Sequence, residues 1–155
     1  MNTNILKVII GGLIVILIAI GIVIAINANS NASSKVTIGN HTFSVSVVKS
    51  QKDQEIGLSG RNSIADTQGM LFLFTKPDYY TFWMRDMKFP LDIVFIRNNK
   101  IVTIFQNTPK PQDNQNVYSL PLYKPIQFAD MVLEMNAGLT QKDTIKIGDT
   151  VKISL

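Results

Sequence analysis

The stretch Phe82–Ile96, FWMRDMKFPLDIVFI, decides the fold of this chain. Its second half is an apolar run typical of a buried strand, and Asp92 interrupts that run. A carboxylate buried without a partner costs several kcal/mol or takes up a proton, so Asp92 needs either a partner or an open cavity. Arg61 and Arg85 are natural partners, because the planar guanidinium group binds a carboxylate through two parallel hydrogen bonds.

Glu134 poses the same problem on another predicted strand, within Met131–Met135. Two carboxylates and two arginines, flanked by aromatic residues and Met70, predict an anion-binding or sugar-binding cleft. The candidate ligand-binding residues are Arg61, Trp83, Arg85, Asp92, Tyr118 and Glu134. Two alternatives stay open. The carboxylates form a purely structural network of ion pairs and backbone N–H bonds, or they act as acid and base in glycoside hydrolysis if suitably spaced.

Short strands and turns dominate the rest of the domain. Residues 41–48 alternate between apolar and polar, which is typical of a half-buried strand, and GMLFLF at 69–74 predicts a buried one. Asn98-Asn99 predicts a tight turn that joins strands 91–97 and 100–106 into a hairpin. Further strands are predicted over 130–135 and 145–154, and a long surface loop over 107–116.

One helix is expected. Ser50 and Asp53 form a capping box that opens a short helix ending near Leu58, and Gly57 and Gly60 keep it short. Many short strands with one helix predict a mainly β domain, either a small β-barrel or two packed sheets.

The other decisive segment is Val8–Ile26, nineteen uncharged residues of which fourteen are Ile, Val or Leu. As a helix it spans roughly 28 Å, close to the thickness of the hydrocarbon core of a bilayer. We predict a single transmembrane anchor within residues 1–26, contacting the membrane from Ile5 to Ile26. Cleavage as a signal peptide near Ala28 or Ala32 and a pilin-like stem are the alternatives.

Lys7 and the free amino terminus favour a cytoplasmic N-terminus, so the folded domain is predicted to lie outside the cytoplasm at the cell membrane. Residues 27–35 are predicted to form a flexible linker, and residues 36–155 are predicted to form one domain. Gly21 and Ala25 form a small-xxx-small pair, which leaves open a structural subunit that assembles through its anchor.

Composition excludes several classes of function. The chain has no cysteine and one histidine, so disulfides, thiolate chemistry and zinc, copper or iron sites are not expected, and we predict no cofactor. The domain carries thirteen basic and eleven acidic residues, interspersed without a basic run. Nucleic-acid binding requires a clustered basic face, so no nucleic-acid partner is predicted.

The motifs resemble those of the domain of unknown function 192. The matching segments are Gly69–Phe74, Phe82–Arg85 and Pro90–Phe95, followed by Val132-Leu-Glu134, Gly138 and Gly148-Asp149. The resemblance covers nearly all of residues 36–155. It implies a compact, mainly β domain, often preceded by a signal or anchor segment, whose biochemical role is not established.

Two positions depart from the family pattern. Ser59 and Gly60 stand before Arg61 where the family has Gly-Leu-Met before its arginine, and Asp86-Met87 replaces Asn-Thr. The charge of Asp86 beside Arg85 either alters the preference for a ligand or pairs with Lys88. We expect a non-enzymatic binding or interaction module of the cell envelope, and from location alone we expect an envelope glycan or protein as ligand. The alternative is an envelope hydrolase using Asp92 and Glu134.

Overall fold

The computed structural model describes residues 34–155. The predicted anchor and residues 27–33 of the predicted linker lie outside these residues. Within residues 34–155 no helix combines the length and apolar character needed to cross a bilayer. The elements in chain order are β1 Lys35–Ile38, β2 His41–Val48, α1 Gln51–Ile56, β3 Gln68–Asp78, β4 Leu91–Arg97, β5 Lys100–Thr108, a 3₁₀ turn Val117–Ser119, β6 Ala129–Asn136, α2 Leu139–Lys142 and β7 Val151–Ser154.

The strands form one seven-stranded sheet in the order β5-β4-β6-β3-β2-β1-β7. All neighbours are antiparallel except β2 and β3, which are joined by the crossover that contains α1. The sheet curls into a half-barrel, and its two edges meet at one corner, where the backbone of Ile101 bonds to Gly148 and Asp149. The predicted mainly β fold is confirmed, as one curled sheet with two short helices.

Both faces of the sheet are buried. Because side chains alternate along a strand, β3 sends Leu71 to one face and Met70 and Phe72 to the other, as expected for a continuous apolar run. The first core includes Phe43, Val45, Leu71, Val94, Ile96, Leu133 and Met135, and α2 and the segment after it complete it. The second core includes Leu58, Met70, Phe72, Met87, Ile93, Phe95 and Val132.

Local chemistry explains the elements that the sequence predicts well. Ser50 caps α1, since its hydroxyl accepts from the backbone N–H of Asp53. Asn98 and Asn99 both adopt positive φ, 49° and 58°, which matches the twist of a two-residue hairpin. The hairpin and the β2 bounds are confirmed.

Other boundaries differ from the prediction. β3 continues past Pro77 to Asp78. It pairs with β6 from Gly69 to Leu73, and after a shift in register Asp78 pairs with Ala129. Pro77 therefore lies where the ladder is interrupted, a position that tolerates proline. The apolar run Thr81–Met84, which by itself favours a strand, forms a loop with one isolated bridge, between Phe82 and Tyr123. The second helix, α2, is four residues long and therefore too short to leave a periodic pattern.

Asp92 holds the first core together. Its side chain is fully buried and accepts four hydrogen bonds from the chain itself. Oδ1 accepts from the N–H groups of Asn107 (2.7 Å) and Gly138 (3.0 Å). Oδ2 accepts from the N–H (2.8 Å) and the hydroxyl (2.6 Å) of Thr140. Neither arginine is a partner, so the expected Asp92–arginine pair is wrong: three backbone N–H groups and the hydroxyl of Thr140 satisfy the carboxylate.

Gly69 sets the spacing between β3 and β6. A Cβ at this position would lie 2.7 Å from the carbonyl oxygen of Glu134 and 3.2 Å from a methyl carbon of Leu133. Since the nearer atom is backbone, a side chain here requires the two central strands to separate.

We predict that Asp92→Asn lowers the free energy of unfolding by about 3 to 5 kcal/mol, because it removes the charge that four buried donors bind and turns an NH₂ group towards some of them. Urea denaturation followed by the fluorescence of Trp83 measures this. Exposed Asp113→Asn is the matched control and should change stability by less than about 0.5 kcal/mol. A loss below about 1 kcal/mol for Asp92→Asn would contradict the structural role.

We predict that Gly69→Ala destabilises the fold by about 2 to 4 kcal/mol through the clash with the backbone of β6. Gly39→Asn is the control, because Gly39 has a φ of 58° that asparagine tolerates and has open space around it. Equal losses of stability for the two substitutions in the same denaturation experiment would show that the close approach of β6 does not cause the effect of Gly69→Ala.

Candidate functional site

A pocket of about 210 Å³ opens on the face of the sheet that carries the second core. α1 and the turn after it form one side, and β3 and the loop 80–87 form the other. Five aromatic residues line it: Phe72, Phe74, Tyr80, Phe82 and Trp83. Glu134 of β6 also lines it and lies among the buried residues at its base.

The end of α1 brings the helix close to that base. Gly57 terminates α1 with a φ of 53°, in the region that favours glycine. A Cβ here would lie 3.3 Å from Cζ of Phe72 and 3.9 Å from Oε2 of Glu134. Gly57 therefore permits both the turn and the close approach of the backbone to the acidic group.

The aromatic wall is held by ring-to-ring contacts. Phe74 and Tyr80 are stacked with centroids 3.5 Å apart, and Phe82 meets Phe72 edge to face at 5.0 Å. Phe82 also contacts Phe95 beneath it, in the second core. Because such pairs fix ring orientation, the wall is preorganised before any ligand enters.

Glu134 has a carboxyl group whose hydrogen bonding is incomplete. The residue is only 5% exposed, and no group within residues 34–155 forms a hydrogen bond with Oε2. Its cross-strand neighbours are apolar, Met70 on β3 and Ile93 on β4. Burial raises the pKa of Glu134 to about 8. At neutral pH the group is therefore mainly protonated and able both to donate and to accept a hydrogen bond.

Trp83 and Arg85 form the rim. Trp83 is 39% exposed, and the guanidinium carbon of Arg85 lies 4.6 Å from the centroid of the indole ring. Ser59 donates its hydroxyl to the backbone carbonyl of Arg85 at 2.8 Å. Arg85 Nε is 3.7 Å from Oδ2 of Asp86, whereas Lys88 bonds to Asn62. Asp86 thus pairs with Arg85, in a partly exposed contact of little energetic weight.

The structure brings together only some of the predicted site residues. Trp83 and Glu134 line the same pocket, with Arg85 next to it on Trp83. Arg61 is exposed beside a different small cavity, with Ser44 and Gln68. Tyr118 is 93% exposed on the 3₁₀ turn and does not line the pocket.

Asp92 and Glu134 lie on opposite faces of the sheet. In the β4–β6 register Ile93 is paired with Glu134, and Asp92 with Met135. Directly paired residues share a face and successive residues alternate, so Asp92 faces the first core and Glu134 the second. The predicted cleft with two carboxylates and two arginines is therefore not formed, and these two residues do not constitute the acid–base pair of a glycoside hydrolase.

Sequence reasoning missed the turn 57–59 and four of the five aromatic residues of the pocket. The signal that could have indicated them is the aromatic density between residues 72 and 83. Residues 34–155 contain no group of three or more His, Asp or Glu placed to hold a metal ion.

Glu134 predicts a pH dependence of stability. Its pKa is about 8 in the folded chain against the ordinary 4.5 of an exposed glutamate, so the folded state retains a proton that the unfolded state loses. The protonated group's contribution is fully present below about pH 4.5 and is lost as the pH rises to about 8. Glu134→Gln should remove this loss, gaining up to about 4 kcal/mol over wild type between pH 5 and pH 8.

Urea denaturation of the two proteins at each pH measures the difference. Glu55→Gln, at an exposed acidic residue of the same pocket, is the control and should follow the wild-type curve. Parallel curves for wild type and Glu134→Gln would mean that Glu134 ionises normally in the folded chain.

Comparison with known proteins gives a family and a fold. A solved protein of unknown function from Novosphingobium aromaticivorans DSM 12444 is 32% identical, with a TM-score of 0.67 over 77% of this chain and 83% of its own. A proposed transcription regulator from Sinorhizobium meliloti 1021 is 25% identical, with a TM-score of 0.68 over 77% and 91%. A search of curated proteins finds no significant match. The profile of DUF192, described as "Uncharacterized ACR", matches residues 34–153, and the chain belongs to this family.

Proposed function

We propose that this protein is a non-enzymatic binding module of the cell envelope whose ligand enters the pocket above Glu134. The observation that carries the proposal is the Oε2 atom of Glu134, buried in a preformed aromatic pocket without a hydrogen-bond partner among residues 34–155. Such an atom reduces stability unless something compensates it, and a ligand group provides that compensation. A concave, mainly apolar site with a single polar group at its base is typical of ligand recognition.

Binding is favoured over catalysis by the chemistry of the pocket. The hydrolase alternative needs two carboxyl groups across one cleft, and Asp92 is on the other face with its oxygens already bonded. Glu134 alone, next to rings and apolar side chains, suits recognition of a group by one hydrogen bond or ion pair and by stacking.

The envelope location rests on the sequence of the first 26 residues. The apolar segment Val8–Ile26, with Lys7 before it, supports a membrane anchor with a cytoplasmic N-terminus and therefore a pocket outside the cytoplasm. Glycans, wall fragments and exported proteins are the ligands available there. The basic residues of the domain are interspersed with acidic ones, so a nucleic-acid partner is not part of the proposal.

Thermal unfolding of the full chain in detergent, with a panel of glycans, wall fragments, amines and anions, tests the proposal. A compound present at 100 times its dissociation constant should stabilise the native state by about 2.7 kcal/mol. The effect should be reduced in Trp83→Ala and in Glu134→Gln, which alter the rim and the base of the pocket.

Tyr118→Ala is the matched control, since it removes an exposed aromatic residue outside the pocket. It should respond to the compound as wild type does. Stabilisation that survives unchanged in both pocket variants, or a panel without any effect, would overturn the proposal.

A further inference from the structure

We propose that the ligand group received by this pocket is a primary ammonium on an unbranched aliphatic stem, the chemistry of a lysine side chain. The inference rests on the proposed function, since it names the chemical class bound at the same site. Within the described residues 34–155, three features of the pocket carry it: the acidic lining without a cationic residue, the buried oxygen without a partner at its base, and the aromatic and apolar walls between base and mouth.

The charge of the lining is entirely acidic. Of the lining residues within 34–155, the two that carry a formal charge are Glu55 and Glu134, and none is Lys, Arg or His. Arg85 lies next to the pocket, over Trp83, and Asp86 partly neutralises it. Once Glu134 has released its proton, a cation meets an opposite charge in a medium of low dielectric constant, whereas the lining within residues 34–155 offers an anion no positive charge.

The base favours a compact cation. Oε2 of Glu134 is a buried acceptor without a partner among the described residues, in a pocket of about 210 Å³, and this setting suits a compact ammonium group better than the larger, planar guanidinium group. An ammonium group is compact and directs its donors by rotation of the stem. The faces of nearby aromatic rings attract a desolvated cation, which adds to the ion pair.

The walls suit an aliphatic stem. Leu58, Phe72, Phe82 and Met87 line the pocket along with Glu134. The methylene groups of a lysine-like stem pack on apolar surface while the charged end reaches a polar partner. Here the charged end points inward, so the pocket binds only the terminal ammonium and its stem, and the rest of the ligand stays outside.

Binding must displace a proton. The protonated carboxyl of Glu134 and the incoming ammonium group give a carboxylate–ammonium pair and one released proton. The groups around Glu134 do not supply this proton in its place. β3 and β4 present Met70 and Ile93, which do not titrate, and the other titratable groups that line the pocket are Glu55 and Tyr80. Burial and then Asp78 raise the pKa of Tyr80 above 10, so Tyr80 does not release this proton near neutral pH.

The test is a titration of the full chain in dodecyl maltoside with three probes of similar shape: n-butylammonium, 1-butanol and butyrate. Trp83 is the only tryptophan of the chain and lies in the pocket, so its fluorescence reports occupancy directly. Proton release is followed in parallel with a pH indicator in weakly buffered solution.

We expect butylammonium to bind at least tenfold more tightly than either other probe. Its apparent affinity should rise at least tenfold from pH 6 to pH 8 and level off above that, with about one proton released per ligand at pH 6 and none at pH 9. Glu134→Gln should weaken binding at least tenfold at pH 8. Glu55→Gln, which removes an exposed charge from the same pocket, should weaken it less than threefold.

Two contrary results have different meanings. If 1-butanol binds as tightly as butylammonium and no proton is released, the pocket binds neutral groups, so the ammonium assignment is overturned and the proposed binding function stands. If none of the probes changes the fluorescence of Trp83 and no compound of the thermal panel stabilises the chain, both proposals fail. The wild-type pH dependence and proton count decide the assignment even if Glu134→Gln does not fold.

Discussion

The four hydrogen bonds to Asp92 are the interaction on which the rest of the structure depends. One carboxylate on β4 collects donors from the end of β5, from the turn after β6 and from the first turn of α2. These three segments are 15 to 48 residues away along the chain. Because a buried charge must be satisfied, the sheet closes around Asp92 only when all three are in place, and the first core is sealed at that end.

Glu134 illustrates the opposite solution to the same problem. It is on the strand next to Asp92, one register position away, but alternation turns it to the other face. There Met70, Ile93 and the end of α1 surround it, and backbone donors are engaged in the sheet. The group therefore keeps a proton and an unbonded oxygen, at a cost in stability that the first carboxylate does not carry. A destabilising group at the base of a pocket is typical of a functional site, so this face of the sheet is the one that indicates function.

The strands with strong local signals were predictable. The alternation of β2, the apolar run of β3, the Asn98-Asn99 turn and the Ser50 cap of α1 each depend on neighbours in sequence, and each is confirmed. Of the predicted capping box only the Ser50 half is formed, because the Asp53 carboxylate accepts from the Ser50 hydroxyl and not from its backbone N–H. The candidate site was predictable only in part, because Trp83 and Glu134 share a pocket while Arg61, Tyr118 and Asp92 lie elsewhere. Residue type indicates which groups need partners, but it does not give the face of the sheet on which each partner stands.

The sequence by itself determined that this chain carries a mainly β domain of the DUF192 family, and that Asp92 and Glu134 are polar groups in apolar strands. Periodicity, turn chemistry and motif spacing are local properties, so they can be read along the chain. The tertiary structure decided that a single sheet curls into a half-barrel, that backbone N–H groups and the Thr140 hydroxyl rather than arginines bind Asp92, and that Glu134 lies at the base of an aromatic pocket. Those outcomes depend on strand order and register, which bring together residues distant in sequence and assign each side chain to one of two faces.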